Sequence, residues 1–246
     1  MKNFLGKVYL YYCLVLFVLS FILIFPLFLI PILFKKQFRL VGVINRAWAY
    51  TLFPIVFLPF EIESRKKLNP NKQYIFCPNH FSYLDIATMA FNPHNAIFVG
   101  KDDMERIPLF GFMYRHLHIT VNREKLKSRY ATYLKSGEAI DQGKSLVIFP
   151  EGGIVSTDFP RMARFKDGAF RLAVEKQIPI VPVTIATNWI ILPNELTKLT
   201  RIPIRMIFHE PIEPDAARWT VQTLKEEVYR IIDAELRATE AKLKQV

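Results

Sequence analysis

Two short stretches of the chain hold side chains able to move a proton or grip an anion. In the first, Asn79-His80-Phe81-Ser82-Tyr83-Leu84-Asp85, four residues separate a histidine from an aspartate. If the chain turns into a helix at Ser82, Asp85 folds back toward the imidazole of His80. A carboxylate on one ring nitrogen fixes the tautomer and stabilises the imidazolium, which leaves the other nitrogen as a general base. Read alone, the same two residues also describe a surface histidine beside a helix-start aspartate. The second stretch is Phe149-Pro150-Glu151-Gly152-Gly153. Gly152 and Gly153 let backbone N–H groups approach an anion closely, and Arg161, Arg164 and Lys166 follow. Alone, it is also an ordinary turn with glycines in it.

Other candidates divide into cations and apolar residues. Arg123 follows Ile119-Thr120-Val121 and can give two hydrogen bonds to a phosphate, or serve as a helix-start arginine in a salt bridge. Lys101 follows Ala96–Gly100 and is a further candidate cation. Val181, Pro182 and Val183 form an apolar strand that carries no chemistry by itself. His116 and His118 read as alternating on a strand edge with no third ligand nearby, so no metal site is expected. The two cysteines, Cys13 and Cys77, exclude a disulfide framework and a Cys-rich zinc module. Cys77, in a buried strand, is expected to be inert, and Met104 and Met113 read as core.

These residues need elements to carry them. Short apolar runs at 73–77, 96–100, 118–121, 145–149, 180–186 and 204–208 read as strands. Helical patterns lie between them at 83–91, 108–117, 123–142 and 166–176, and a last one opens at Thr220. In that last helix Val221, Leu224, Val228, Ile231, Ile232 and Leu236 share one face. Strands alternating with helices predict an α/β fold with a largely parallel sheet flanked by helices. The two chemical stretches each follow a strand, at the carboxyl end, where open α/β sheets place ligands.

Charge and hydropathy divide the chain differently. There are 33 basic and 22 acidic residues in 246, a formal net charge of +11, in a chain that is 51% apolar. Residues 1–60 contain six Lys and Arg and no Asp or Glu. Val8 to Phe34 has no charged residue, which exceeds the roughly 20 residues a spanning helix needs. Pro26 and Pro31 favour a kink in its second half. A shorter apolar run, Trp48 to Phe60, follows Lys35, Lys36, Arg39 and Arg46. The length and the lack of a small-residue cleavage site argue against a signal peptide. A spanning helix followed by an interfacial segment is the leading reading, with a one-leaflet helical hairpin as the second. The chain therefore divides at 60: a membrane-associated helical region, 1–60, and a catalytic domain, 61–246. Nucleic acid is excluded as a partner, because no basic face is interleaved with aromatics.

In order, His80-x4-Asp85, Gly111 to Arg123, Phe149-Pro150-Glu151-Gly152 and Val181-Pro182-Val183 resemble the glycerolipid acyltransferases. Over residues 70–190 the chain is most similar to the 1-acyl-sn-glycerol-3-phosphate acyltransferases. The resemblance implies a membrane-bound enzyme that moves an acyl group from a thioester, on acyl carrier protein or coenzyme A, to the sn-2 hydroxyl of 1-acyl-sn-glycerol-3-phosphate, giving phosphatidic acid. His80 is then the base and Asp85 its orienting carboxylate. Arg123, Glu151 and Gly152 form the acceptor-phosphate site, with Gly153, Lys101 and Lys166 as further substrate-binding candidates. Val181, Pro182 and Val183 shape the acyl or acceptor pocket. No cofactor or metal is implied. The implied location is a bacterial inner membrane, with the catalytic domain on the cytoplasmic side. A second reading keeps the chemistry and changes the acceptor to another lysolipid or an aminoacyl-lipid hydroxyl. A third, of another class, is a non-enzymatic lipid-binding membrane protein. One departure stands out: family members often follow the glycine of the third motif with Thr and a nearby Arg, and here Gly153 and Ile154 follow. Arg161, Arg164 or Lys166 are the candidates to supply the missing cation.

Overall fold

The apolar runs read as strands assemble into one sheet, and the helical patterns cover it. The computed structural model describes residues 2–122, 125–215 and 217–244. In chain order its elements are α1 (Lys2–Leu33), α2 (Leu40–Ile55), β1 (Phe60–Ser64), β2 (Ile75–Pro78), α3 (Leu84–Thr88), β3 (Ala96–Lys101), α4 (Phe110–Leu117), β4 (Ile119–Val121), α5 (Leu126–Asp141), β5 (Ser145–Ile148), α6 (Gly168–Lys176), β6 (Ile180–Ile185), α7 (Asn188–Ile191), β7 (Ile204–Phe208) and α8 (Val221–Leu243). The seven strands are ordered β1-β7-β6-β2-β5-β3-β4. Every described pairing is parallel except β6 with β7. The expected α/β architecture is therefore present. All six residues of β6 are buried, as befits a strand covered on both faces.

The helices are positioned by apolar stripes. In α8, Leu224, Val228, Ile232 and Leu236 are almost fully buried, at helical spacing. Its start is fixed by Thr220, whose hydroxyl accepts the N–H of Thr223 at 3.2 Å, while Thr223 returns a bond to the Thr220 N–H at 3.0 Å.

The N-terminal region differs from the expectation in its details. Helix α1 continues through Pro26 and Pro31 to Leu33, and α2 begins at Leu40 rather than Trp48, taking Arg46 into its middle. Arg46 is accommodated because its guanidinium donates to the carbonyl of Asn92 at 3.1 Å. The end of the second apolar run, Phe60, opens an edge strand not expected from the sequence, β1, which pairs with β7. Helix α1 docks along its length. Leu10 and Cys13 join a cluster with Ala49, Leu52 and Phe53 of α2, and Phe21 and Phe28 join one with Met113 and Leu117 of α4. The hydroxyl of Tyr9 donates to the carbonyl of Val56 at 2.6 Å, and the indole of Trp48 donates to Ser20 Oγ at 3.0 Å. The opposite side of α1 is an exposed apolar band that includes Leu19, Leu23 and Leu27.

Candidate active site

Strand β2 delivers the first motif. Asn79, directly after it, clasps β6: its amide donates to the carbonyl of Ile185 at 3.0 Å and its Oδ1 accepts the N–H of Ile185 at 2.7 Å. With the strand end pinned, the chain turns through Ser82 into α3. Ser82 Oγ accepts the N–H of Leu84 at 3.1 Å. That turn returns Asp85 to His80, with Nδ1 of the imidazole 3.0 Å from Asp85 Oδ2. The same Oδ2 accepts the N–H groups of Phe81 at 2.7 Å and Ser82 at 2.9 Å. The other oxygen, Oδ1, accepts the amide of Asn188 at 2.9 Å. Asp85 is fully buried, so its charge is held entirely by these donors. An ionised carboxylate only accepts, so Nδ1 of His80 carries the proton and Nε2 is left with a lone pair. The ring is fixed from its face by Phe149, with centroids 4.1 Å apart and planes 27° from parallel.

The third motif sits beneath the histidine rather than opposite it. Glu151 is 1% exposed. Its Oε1 accepts the backbone N–H of His80 at 2.7 Å and its Oε2 accepts the N–H of Ala163 at 2.8 Å. Burial pushes its carboxyl up to about 7, the two N–H groups oppose that, and the nearby charge of Asp85 adds to it. Gly152 and Gly153 both take positive φ, +79° and +153°, and line the cleft above. Lys166 lies over Gly152 so closely that a Cβ there would stand 2.4 Å from its Nζ.

The remaining candidates fall in different places. Lys101 lines the same cleft and forms an ion pair with Asp103. Arg123 lies outside the described residues. Arg161 pairs with Asp158 at 3.3 Å, and Arg164 borders a separate hollow with Lys225 and Tyr229. Val181, Pro182 and Val183 are buried inside β6, in register with Phe76, Cys77 and Pro78, and do not line the cleft. They act from below, by holding the strand that carries His80. His116 and His118 are not on a strand edge. His116 lies within α4 with Nδ1 bonded to the carbonyl of Phe112 at 2.8 Å, and His118 caps the end of that helix. Burial raises the Cys77 thiol, consistent with an inert core residue.

The cleft holds about 350 Å³ and opens beside His80. It shares Tyr83, Ile86, Phe98, Met104, Phe110 and Tyr114 with a second, mostly apolar cavity of about 520 Å³ that runs between the catalytic domain and α1. Gly100 permits this junction, since a Cβ there would stand 1.9 Å from the hydroxyl oxygen of Tyr114. The arrangement sets the His80 imidazole, a rim of Gly152, Gly153 and Lys101, and an apolar channel side by side. Sequence reading included Asn79 and Phe149 in its motifs without a role for either, and it missed Asn188. The signal for Asn188 was its place just past the Val-Pro-Val strand, at the same sheet edge as His80.

Known proteins resemble this chain along most of its length. The acyltransferase family profile matches residues 59–186. A 1-acyl-sn-glycerol-3-phosphate acyltransferase of Chlamydomonas reinhardtii is 28% identical over 83% of this chain and 67% of its own length. A chloroplastic 1-acyl-sn-glycerol-3-phosphate acyltransferase of Arabidopsis thaliana is 27% identical over 71% of this chain, which spans only 49% of that relative. The fold is similar to the crystal structure of the 1-acyl-sn-glycerophosphate acyltransferase of Thermotoga maritima, with a TM-score of 0.79 and 19% identity over 98% of this chain and 97% of that one.

Proposed function

As a member of the acyltransferase family, this chain has a reaction class to which its site geometry must answer, and we propose that it is a 1-acyl-sn-glycerol-3-phosphate O-acyltransferase. The observation that carries the reading is the His80–Asp85 pair, 3.0 Å apart at the carboxyl end of β2, where a cleft meets an apolar channel. The sn-2 hydroxyl is far too weak an acid to attack unaided, so a base must take its proton as the new bond forms, an effect worth roughly 10²–10⁴-fold. Nε2 of His80 accepts that proton, while Asp85 stabilises the imidazolium through Nδ1. The hydroxyl oxygen forms a bond to the thioester carbonyl, the C–S bond breaks, and the departing thiolate takes the proton back from His80. Holding the two substrates together supplies much of the remaining acceleration.

The acceptor phosphate binds at the rim formed by Gly152, Gly153 and Lys166, with Lys101 and Arg123 as further cations. Lys166 then replaces the arginine that this family often carries after the motif glycine. Glu151 serves as a brace for His80 rather than as a phosphate contact, because both its oxygens already accept backbone N–H groups. The acyl chain of the donor, from acyl carrier protein or coenzyme A, enters the apolar channel.

The lysolipid comes from a bilayer, and the exposed band of α1 supports membrane attachment. The docked stretch from Leu10 to Phe28 is about 27 Å long at 1.5 Å per residue, nearly the whole hydrocarbon thickness. A helix packed on the catalytic domain over that distance favours a hairpin held in one leaflet over a crossing, with its basic turn at the anionic cytoplasmic face. The test is purified protein with a panel of lysolipids and both thioester carriers, products resolved by mass. Phosphatidic acid from lysophosphatidic acid, lost in His80→Ala, is the expected outcome. Acylation only of an acceptor without phosphate would replace this reading with its nearest alternative.

A further inference from the structure

The apolar channel has two polar side chains in its wall that nothing so far employs. Asn45 of α2 and His118 at the end of α4 both line it. The other polar groups there are accounted for. The indole of Trp48 donates to Ser20, the hydroxyl of Tyr114 lies against Gly100, and Tyr83 is half exposed where cleft and channel meet. The Nδ1 atom of His118 accepts the N–H of Phe98 at 3.2 Å. That bond assigns the tautomer: Nδ1 is the acceptor and Nε2 carries the proton. Burial keeps the ring neutral, with its pKa held down to about 3. Among the described residues Nε2–H has no acceptor, and the side-chain amide of Asn45 has no partner at all.

Phe98 brings the two groups to one region. His118 stands edge-on to its ring, with centroids 5.4 Å apart, and Asn45 shares with Phe98 both the channel and a narrow crevice beside it. An N–H donor and an amide are the hydrogen-bonding groups that this otherwise apolar wall offers to a chain lying along it. A plain hydrocarbon chain pairs with neither. A hydroxyl can accept from His118 Nε2–H and can donate to Asn45 Oδ1.

Resting on the acyltransferase reading above, we infer that the channel selects acyl donors bearing a hydroxyl group on the chain, recognised by His118 and Asn45. The preference depends on position, because both groups lie beside Phe98 in the channel wall. A hydroxyl placed elsewhere meets only apolar wall and is disfavoured.

The test is internal competition. Purified protein is given lysophosphatidic acid and an equimolar pair of thioesters of equal chain length, one plain and one hydroxylated, with the hydroxyl moved along the chain across the series. The product ratio, read by mass, is independent of how much enzyme is correctly folded. The wild type should show a peak in the hydroxylated-to-plain ratio at one position. Asn45→Leu, on a partly exposed helix face, should lower that peak about tenfold, and His118→Leu should lower it in the same sense. A ratio that is flat and below one at every position, or a peak unchanged in Asn45→Leu, overturns the inference while leaving acyl transfer established. Absence of transfer from plain and hydroxylated donors alike overturns the underlying reading and this inference with it.

Discussion

The backbone N–H of His80 donates to the carboxylate of Glu151 at 2.7 Å across 71 residues of sequence. The bond joins His80, the proposed base, to the motif that family resemblance assigns to phosphate binding, and it separates two roles kinetically. If Glu151 positions His80, Glu151→Gln keeps an acceptor for one N–H but turns an amide toward the other. The displaced imidazole should then cost about 10–100-fold in kcat, with KM for the lysolipid little changed. Steady-state kinetics on lysolipid-containing vesicles checks this. A raised KM with unchanged kcat would return Glu151 to the phosphate site.

The same carboxylate makes stability depend on pH. Its folded pKa, about 7, lies above the ordinary value of 4.5, so the folded state holds this proton more tightly than the unfolded chain. The stabilisation is full below pH 4.5 and is lost as pH rises through 7, at most about 3 kcal/mol in all. Denaturant unfolding of the detergent-solubilised protein at pH 5 and pH 8 should show this loss in the wild type. In Glu151→Gln it should be largely absent, because the amide does not titrate.

Asn188 is the third member of the site's polar chain. Its amide donates to Asp85 Oδ1 at 2.9 Å and to Thr88 Oγ1 at 3.0 Å. Asn188→Ala leaves a buried carboxylate oxygen unpaired, which should cost about 1–3 kcal/mol of stability. Asp85 is then free to rotate away from Nδ1 of His80. The expected kinetic result is a fall in kcat of about tenfold, because the imidazolium that forms at His80 loses part of the carboxylate stabilisation it needs. A kcat unchanged alongside the stability loss would reduce Asn188 to a packing role.

Much of this site was legible because its chemistry is local. His80 and Asp85 meet across a single turn, and the residues of that turn are the ones that make it. Strand order, by contrast, is written in pairings between distant segments. Strand β1 looked like the tail of an apolar run because Phe60 and Ile62 only acquire a partner when β7 arrives beside them. Glu151 was found by its motif, but its bonds to His80 and Ala163, which form only when the sheet closes, were not legible. Asn188 was missed for the same reason. His118 read as strand because its neighbours Ile119 and Val121 are strand residues, while its backbone N–H still bonds to the helix carbonyl of Tyr114 at 3.0 Å.

Gly152 and Lys166 form a pair that can be tested from either side. Gly152 sits at φ +79°, and a Cβ there would stand 2.4 Å from the Lys166 ammonium. Gly152→Ala therefore strains the turn by about 1–2 kcal/mol and pushes the ammonium aside. Lys166→Ala removes the charge without strain. Both should raise KM for lysophosphatidic acid, by about tenfold for Lys166→Ala, with little effect on an acceptor lacking phosphate. Equal losses on both kinds of acceptor would show that Lys166 serves the turn and not the phosphate.

The outer face of α1 should matter for attachment and not for folding. Leu19 is 57% exposed and Leu23 is 80% exposed, and neither belongs to a core cluster. Each leucine entering a leaflet contributes about 1.5–3 kcal/mol. Replacing both by lysine removes that contribution and sets two charges in the apolar band. Binding to vesicles of mixed neutral and anionic lipid, followed by co-sedimentation, should weaken by well over tenfold. The thermal midpoint in detergent should stay within a few degrees, because the buried stripe of Leu10, Phe21 and Phe28 is untouched. Turnover of a water-soluble short-chain lysolipid should persist in the same variant, whereas turnover of a bilayer-resident one should fall with binding. A variant that unfolds, or that still sediments with vesicles, would mean that α1 is held to the rest of the chain and to the membrane by other faces.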